Sequence, residues 1–196
     1  QLKMVNAFVD TDVVVRRNMI SGYNYLGINV PSEVFARLLQ DEDLEVRSSV
    51  LPLAARHLDF SLFVEKAAVV ADDESPILRL SLIRELYPRS ALKPIPLLQK
   101  LTQDADPEVA TAAELQLFNN APDLRLYKSL FERFDKGSLN ANQRAQLVQL
   151  VERLEETEER DRFLLQFLEV SEEALRVVAA RHFFNFGLGE LFPEKL

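Results

Sequence analysis

Apolar residues recur along the chain at the spacing that one side of an α-helix requires. Around Arg47 they stand one residue before, three after and seven after, as Val46, Val50 and Ala54. At about 3.6 residues per turn these positions form one stripe. The same stripe surrounds five further anchor positions, at successive steps of 31, 32, 31, 34 and 32 residues. The six anchors are Arg16, Arg47, Arg79, Ala110, Arg144 and Arg176. The pattern predicts six copies of one helix, here called helix B, with a period of about 32 residues.

A residue that can cap a helix stands four positions before each anchor. Such side chains accept hydrogen bonds from the unpaired amides of the first turn. The six are Asp12, Asp43, Ser75, Asp106, Asn140 and Glu172. Glu172 is the weakest capping type among them, and we expect Ser171 to cap in its place. Pro76 and Pro107 follow their caps directly, at the first helical position, where a missing amide hydrogen costs nothing. Gln143 is the one polar residue in the apolar columns.

A second apolar stripe lies between successive B helices and predicts a helix A in each repeat. The predicted A helices cover residues 1–10, 31–40, 60–70, 93–101, 124–134 and 162–169. One hairpin of A and B cannot bury its own stripes, but stacked neighbours can. We therefore predict an all-α fold of six hairpins in a single domain, residues 1–196. The approximate repeat limits are 1–28, 29–59, 60–90, 91–121, 122–156 and 157–196.

An Asp-x-x-Val-Arg turn opens helix B at Asp43–Arg47 and again at Asp12–Arg16. This turn resembles that of the short HEAT-like repeats of the phycobilisome-lyase type, and the resemblance spans nearly the whole chain. It implies a right-handed α-solenoid in which the anchor arginine pairs with the turn aspartate of a neighbouring repeat, forming a ladder. The residues of this ladder are then Asp12, Arg16, Asp43, Arg47, Arg79, Asp106, Arg144 and Arg176. The family includes scaffolds, adaptors, a few lyases and DNA glycosylases, so it implies architecture more than function.

The side of helix B opposite the apolar stripe lacks acidic residues. Positions one, two, five and nine after the anchors hold five arginines and no Asp or Glu among 24 residues, where the overall composition predicts roughly four acids. In HEAT-like stacks this side lines the concave surface, so we expect a neutral to basic groove that fits an acidic protein segment. The candidate partner-binding residues are Tyr25, Arg56, Arg84, Asn119, Arg153, Arg181 and Asn185.

Composition excludes several classes of chemistry. The chain has no cysteine, so it contains no disulfide, thiol nucleophile or cysteine-ligated zinc. Its net charge of −8 argues against general affinity for nucleic acid or anionic lipid.

His57 and His182 lack a nucleophile or acid at a recognisable spacing, and we expect them to be solvated or to cap helix ends. Residues 135–139 form a hairpin turn rather than a calcium loop, and the acidic run 155–161 is typical of a solvated loop. We expect no catalytic site, metal, cofactor or membrane span, and a cytoplasmic location.

These observations favour a non-enzymatic scaffold or adaptor that binds a protein segment in its groove. Two alternatives remain. A nucleic-acid-binding solenoid of the DNA-alkylation-repair type requires a strongly basic groove with aromatic stacking residues, and the chain has no tryptophan. A bilin-lyase-like or chaperone role depends on the family resemblance alone.

The two ends of the chain differ in what they predict. The first helix A has apolar Leu2, Val5, Phe8 and Val9 and no polar capping repeat before it, so we expect a longer protein with further domains of the same polypeptide. At the other end, the sequence 187–189 is expected to stop the last helix. Leu191 and Phe192 are then expected to fold back over the final repeat.

Overall fold

The structure is a computed structural model that describes residues 2–26, 29–87, 93–155 and 157–188. Within these ranges the chain forms twelve α-helices and two short 3-10 helices, and no strand. The helices are α1 Leu2–Ala7, α2 Val13–Leu26, α3 Ser32–Leu38, α4 Leu44–His57, α5 Phe60–Ala67, α6 Pro76–Glu85, α7 Ile95–Leu101, α8 Pro107–Asn120, α9 Leu124–Asp135, α10 Ala141–Leu150, α11 Thr157–Leu168 and α12 Glu173–Asn185. The 3-10 helices are Ala68–Asp72 and Val151–Arg153. The predicted all-α fold class is confirmed.

Odd-numbered helices occupy the predicted A segments and even-numbered helices the predicted B segments. Helix α3 lies within the predicted range 31–40, and α9 ends one residue beyond the predicted range 124–134. The largest difference is in the sixth repeat, where α11 begins at Thr157, five residues before the predicted range 162–169. In the third repeat the predicted helix 60–70 ends as an α-helix at Ala67 and continues as the 3-10 helix Ala68–Asp72.

The apolar columns of the B helices form the core. Fifteen of their eighteen positions are buried, so the repeat register read from the sequence identifies the inward side of each helix. Val15, Met19 and Leu117 are half-buried. Gln143 is buried although it is polar, because its side chain accepts a hydrogen bond from the Asn140 amide at 2.9 Å and completes a capping box.

Side chains cap the B helices at the predicted positions in most repeats. The Asp43 carboxylate accepts from the Val46 amide at 3.0 Å, and Asn140 accepts from the Gln143 amide at 2.9 Å. The sixth repeat differs. Glu172 makes no side-chain capping hydrogen bond to α12, and the hydroxyl of Ser171 lies against the Glu172 carboxylate at 3.5 Å. The expectation that Ser171 caps this helix is therefore wrong.

The helices form two compact units, which are described separately. In the first unit, Gln1–Ala110, α4 packs against both α2 and α6, while α3 packs against α4 and α5. In the second unit, Thr111–Leu196, α12 packs against α10 and α11. Buried aromatic side chains fill the core of the second unit, with Tyr127 and Phe163 at a ring-centroid distance of 4.8 Å.

Glycines end two helices in the left-handed conformation. Gly137 follows α9 with φ 69°, and Gly187 follows α12 with φ 71°. This conformation is costly for residues with a Cβ and is common just after a helix. The predicted stop at Gly187 is confirmed, while Leu191 and Phe192 lie outside the described residues. None of the helices that the structure describes is long and apolar enough to cross a membrane.

Candidate partner-binding face

The anchor arginines of the first unit are buried against aspartates, as Arg47 illustrates. Its Nε lies 2.7 Å from Asp73 Oδ2 in the next repeat. Its Nη1 donates to the backbone carbonyls of Asp41 and Glu42, at 2.8 and 3.2 Å, in the turn before its own helix. One guanidinium therefore joins two successive interhelical turns, and hydrogen bonding to Asp73 raises its pKa.

The same geometry repeats at Arg16 and Arg79. Arg16 lies 2.7 Å from Asp41, and Arg79 contacts both carboxylate oxygens of Asp104, at 2.7 and 2.8 Å. The Arg79 guanidinium hydrogen-bonds to Asp104 and lowers the pKa of that carboxyl. These contacts form a continuous series of ion pairs in the first unit.

The ladder aspartates are not the residues that the sequence predicted. Asp12, Asp43 and Asp106 hydrogen-bond to amides of their own helices, as in the 2.8 Å contact from Val14 to Asp12. In the first unit the acids that pair with the anchor arginines lie two residues before the cap position. The capping carboxylates are directed at the first turns of their own helices, and the earlier acids face the anchor arginines of the preceding repeats. A sequence signal existed: an aspartate stands six residues before the first four anchors. These aspartates are Asp10, Asp41, Asp73 and Asp104.

The ladder is modified in the second unit. Arg144 pairs with Glu172 at 2.6 Å and lies over the Phe134 ring at 4.7 Å. Arg176 donates to the carbonyls of Val170 and Ser171, both at 2.8 Å, which reproduces the bonds that Arg47 makes to its own turn.

The fourth repeat has no anchor arginine, and its helix α8 is oriented differently from the prediction. Asn119 was expected on the exposed face but is buried, as are Thr111 and Leu115 at two other positions of the same face. Leu115 belongs to the core of the second unit, and Arg133 of α9 donates to the Thr111 hydroxyl at 3.1 Å and pairs with Glu114. Helix α9 therefore covers this side of α8, and Asn119 is removed from the candidate site. The division between the two units falls at Ala110, where the ladder arginine is missing.

The other candidate residues are exposed on B helices or directly after them. Tyr25 on α2 is 90% exposed, and Asn185 is exposed at the end of α12. Arg56, Arg84 and Arg181 lie on α4, α6 and α12 respectively, and each is exposed.

Arg153 is exposed too, but it lies in the 3-10 helix Val151–Arg153 rather than in α10. The buried Tyr127 hydroxyl donates to the Leu147 carbonyl at 2.9 Å, in the last turn of α10 before this change of helix type. Burial raises the pKa of Tyr127, so its hydroxyl keeps the proton that it donates. The hydrogen bond of the Tyr127 hydroxyl could not be predicted from periodicity, because Tyr127 occupies an ordinary apolar position of helix A.

The exposed arginines differ in their partners from those of the ladder. Within the ranges that the structure describes, none of Arg56, Arg84, Arg153 and Arg181 forms an ion pair with a carboxylate. Arg84 donates to the neutral Ser81 hydroxyl at 2.8 Å.

Arg17 is the exception on this face. It pairs with Asp43 at 2.5 Å and with Glu45 at 2.6 Å, and it lowers the pKa of Asp43. The positive charge of Arg17 on the exposed face is therefore already balanced by Asp43 and Glu45.

The two histidines have different surroundings. His57 is exposed, and its ring contacts Tyr23 edge-on at a centroid distance of 4.7 Å. His182 is buried, with Nδ1 3.2 Å from a Glu152 carboxylate oxygen, so the expected solvated or capping role is wrong for this residue. The position of His182 in the chain could not indicate this contact, because the contact joins two repeats. Among the described residues no group of His, Asp and Glu side chains is arranged to hold a metal ion.

Neither a protein-family model, nor a curated protein, nor a solved structure matches the chain.

Proposed function

We propose that this chain is a HEAT-like solenoid scaffold, without enzymatic activity, that binds a protein segment on the exposed face of its B helices. The observation that carries the proposal is the division of the arginines into two groups. The ladder arginines of the first unit are buried and paired with Asp41, Asp73 and Asp104. The arginines of the exposed face, such as Arg84 and Arg181, have no carboxylate partner among the described residues.

The chemistry of the exposed face fits protein recognition. Arginine and aromatic residues contribute most to binding energy at protein interfaces, since they combine a large contact area with directed hydrogen bonds. The face provides exposed Arg56 and Arg84 in the first unit and exposed Arg153 and Arg181 in the second. An acidic segment would supply the carboxylates that these guanidinium groups lack.

The test is partner capture with charge-reversed variants. The full chain is immobilised, exposed to native extract and compared with the Arg84→Glu, Arg181→Glu double variant. We expect the double variant to keep its melting temperature, because both side chains are exposed, and to lose its partner, because repulsion replaces attraction. The matched control reverses two other exposed arginines on A helices, Arg37 on α3 and Arg125 on α9. Equal capture by the folded double variant and the wild type would place the binding surface on the A helices or the turns, and the proposal would be abandoned.

A further inference from the structure

Helices α6 and α12 expose the same three side-chain types in the same register. Counted from their anchors, position one is aliphatic, position five is arginine and position eight is aromatic. The two stripes are Leu80, Arg84 and Tyr87 at α6 and Val177, Arg181 and Phe184 at α12. Residues three and four apart lie on one side of a helix, so the α12 stripe is a continuous surface of about 10 Å along the helix axis. Leu80 and Arg84 lie on one side of α6 in the same way, and Tyr87 follows two residues after the end of that helix.

Apart from Leu80, the apolar members of both stripes are exposed to solvent. Tyr87 is 54% exposed, Val177 is 53% exposed and Phe184 is 60% exposed. Leu80 is half-buried, and the stripe of α6 is extended by Ile77, which is 73% exposed. Several large apolar side chains on one helix side, with an arginine between them, are typical of a surface that another chain covers.

The other repeats lack this combination. In the second repeat the same positions hold Ser48, Pro52 and buried Ala55. In the fifth repeat the third position is Glu152, whose carboxylate is directed to His182. The pattern therefore distinguishes α6 and α12 from helices that share their place in the repeat.

Arg84, the arginine of the α6 stripe, is not part of the ladder and keeps its guanidinium available for a partner. Arg79 holds the Asp104 carboxylate on the buried side of α6, whereas Arg84, five residues later, contacts the neutral Ser81 hydroxyl. At Arg181 no acid stands among the neighbours on the same helix side, which are Val177, Phe184 and Asn185.

We infer that each of these two stripes binds an amphipathic helical segment of a partner protein in which an acidic residue is flanked on both sides by apolar residues. This inference rests on the proposed function and names the chemistry of the bound segment. The guanidinium pairs with the acid through two parallel hydrogen bonds, while the aliphatic and aromatic side chains cover the flanking apolar residues. Charge complementarity selects the acidic partner, and the apolar positions on both sides distinguish it from a nucleic acid.

The test uses a stapled helical peptide with leucine, glutamate and leucine at positions i, i+4 and i+7, because an unstapled peptide of this length is only marginally helical. Binding to the full chain is measured by isothermal titration calorimetry. We expect two peptides per chain. We also expect the matched peptide with glutamine in place of glutamate to bind roughly 10- to 100-fold more weakly, since a hydrogen bond to a charged group is lost.

Variants of the chain locate the sites. Arg181→Gln should leave one strong site, and the Arg84→Gln, Arg181→Gln double variant should bind the glutamate and glutamine peptides equally weakly. Val177→Ser with Phe184→Ser should weaken the α12 site for both peptides, which a purely electrostatic attraction would not produce. Arg125→Gln serves as the control, because this exposed arginine lies on helix α9 outside both stripes.

Three results overturn the inference. The first is equal binding of the two peptides to the wild-type chain, and the second is unchanged binding to the double variant. The third is full competition with the peptide by a polyanion such as double-stranded DNA, because the apolar positions would then have no part in selection. The first two do not affect the proposed function, which is tested by capture from extract and fails only if charge reversal leaves that capture unchanged.

Discussion

Replacing Arg79 with alanine should destabilise the first unit much more than replacing Arg84, which lies on the same helix. Arg79 makes two hydrogen bonds to Asp104, at 2.7 and 2.8 Å, and one of 2.5 Å to the Asp73 carbonyl. The side chains of Arg79 and Asp104 are only 12% and 7% exposed. Removing one partner of a buried ion pair costs about 3–5 kcal/mol, because the other charge is left without compensation.

The expected loss lies near the lower end of that range. Asp104 keeps one hydrogen bond after the substitution, the 2.8 Å contact from the Asp106 amide. We therefore expect Arg79→Ala to lower the free energy of unfolding by about 3 kcal/mol. Arg84→Ala removes an exposed side chain that contacts Ser81, and its effect should stay below about 0.5 kcal/mol.

The measurement is urea unfolding followed by far-UV circular dichroism, with hydrogen exchange of peptides from residues 32–85 to assign the change to the first unit. Both variants lose an arginine from α6, so helix propensity and net charge change equally. If the two substitutions cost the same, or if Arg79→Ala costs less than about 1 kcal/mol, the Arg79–Asp104 pair does not stabilise the fold in the way described.

The pair also has a defined pH dependence. Arg79 lowers the pKa of Asp104 in the folded chain, whereas an unfolded aspartate titrates near about 3.9. A lowered folded pKa contributes stability that is present above the unfolded pKa and is lost as the pH falls through the folded value. The stability difference between wild type and Arg79→Ala should therefore be constant near neutral pH and shrink below about pH 4. A difference that stays constant into strong acid would contradict the assigned cause.

Two further predictions concern the core. Leu82→Ala and Leu147→Ala should each cost about 2–5 kcal/mol in urea unfolding, because both side chains are fully buried in the repeat columns, and losses below about 0.5 kcal/mol at both would show that the register is wrong. Tyr127→Phe should cost about 1–3 kcal/mol, because the Leu147 carbonyl loses its 2.9 Å hydrogen bond inside the core, and an unchanged midpoint in the same titration would mean that this bond adds nothing to stability.

Local sequence patterns predicted the helices and their inward sides well. A stripe at 3.6-residue spacing depends only on which side of a helix avoids water, and this requirement is met within each helix. A capping hydrogen bond also joins residues only a few positions apart, so the capping role of Asn140 could be predicted from its position before α10. The exposure of Arg56, Arg84 and Arg181 followed from the same geometry.

Interactions between repeats were predicted less well, and the ladder shows why. The sequence shows that an arginine recurs at the start of helix B, but two aspartates of the following turn, Asp41 and Asp43, could each have paired with Arg16. The packed structure pairs Arg16 with Asp41, while Asp43 accepts from the Val46 amide of its own helix and from Arg17. Both choices satisfy the local pattern, and they differ in contacts between helices.

The burial of Asn119 was likewise decided by tertiary structure. Its position after Ala110 predicted exposure, as at Arg56 after Arg47. In the structure Leu115 of α8 packs in the core, and Arg133 reaches across from α9 to the same side of α8. A periodic sequence specifies which residues of one helix avoid water together. The rotation of that helix against its neighbours depends on contacts between residues far apart in the chain, and these follow from the packed structure.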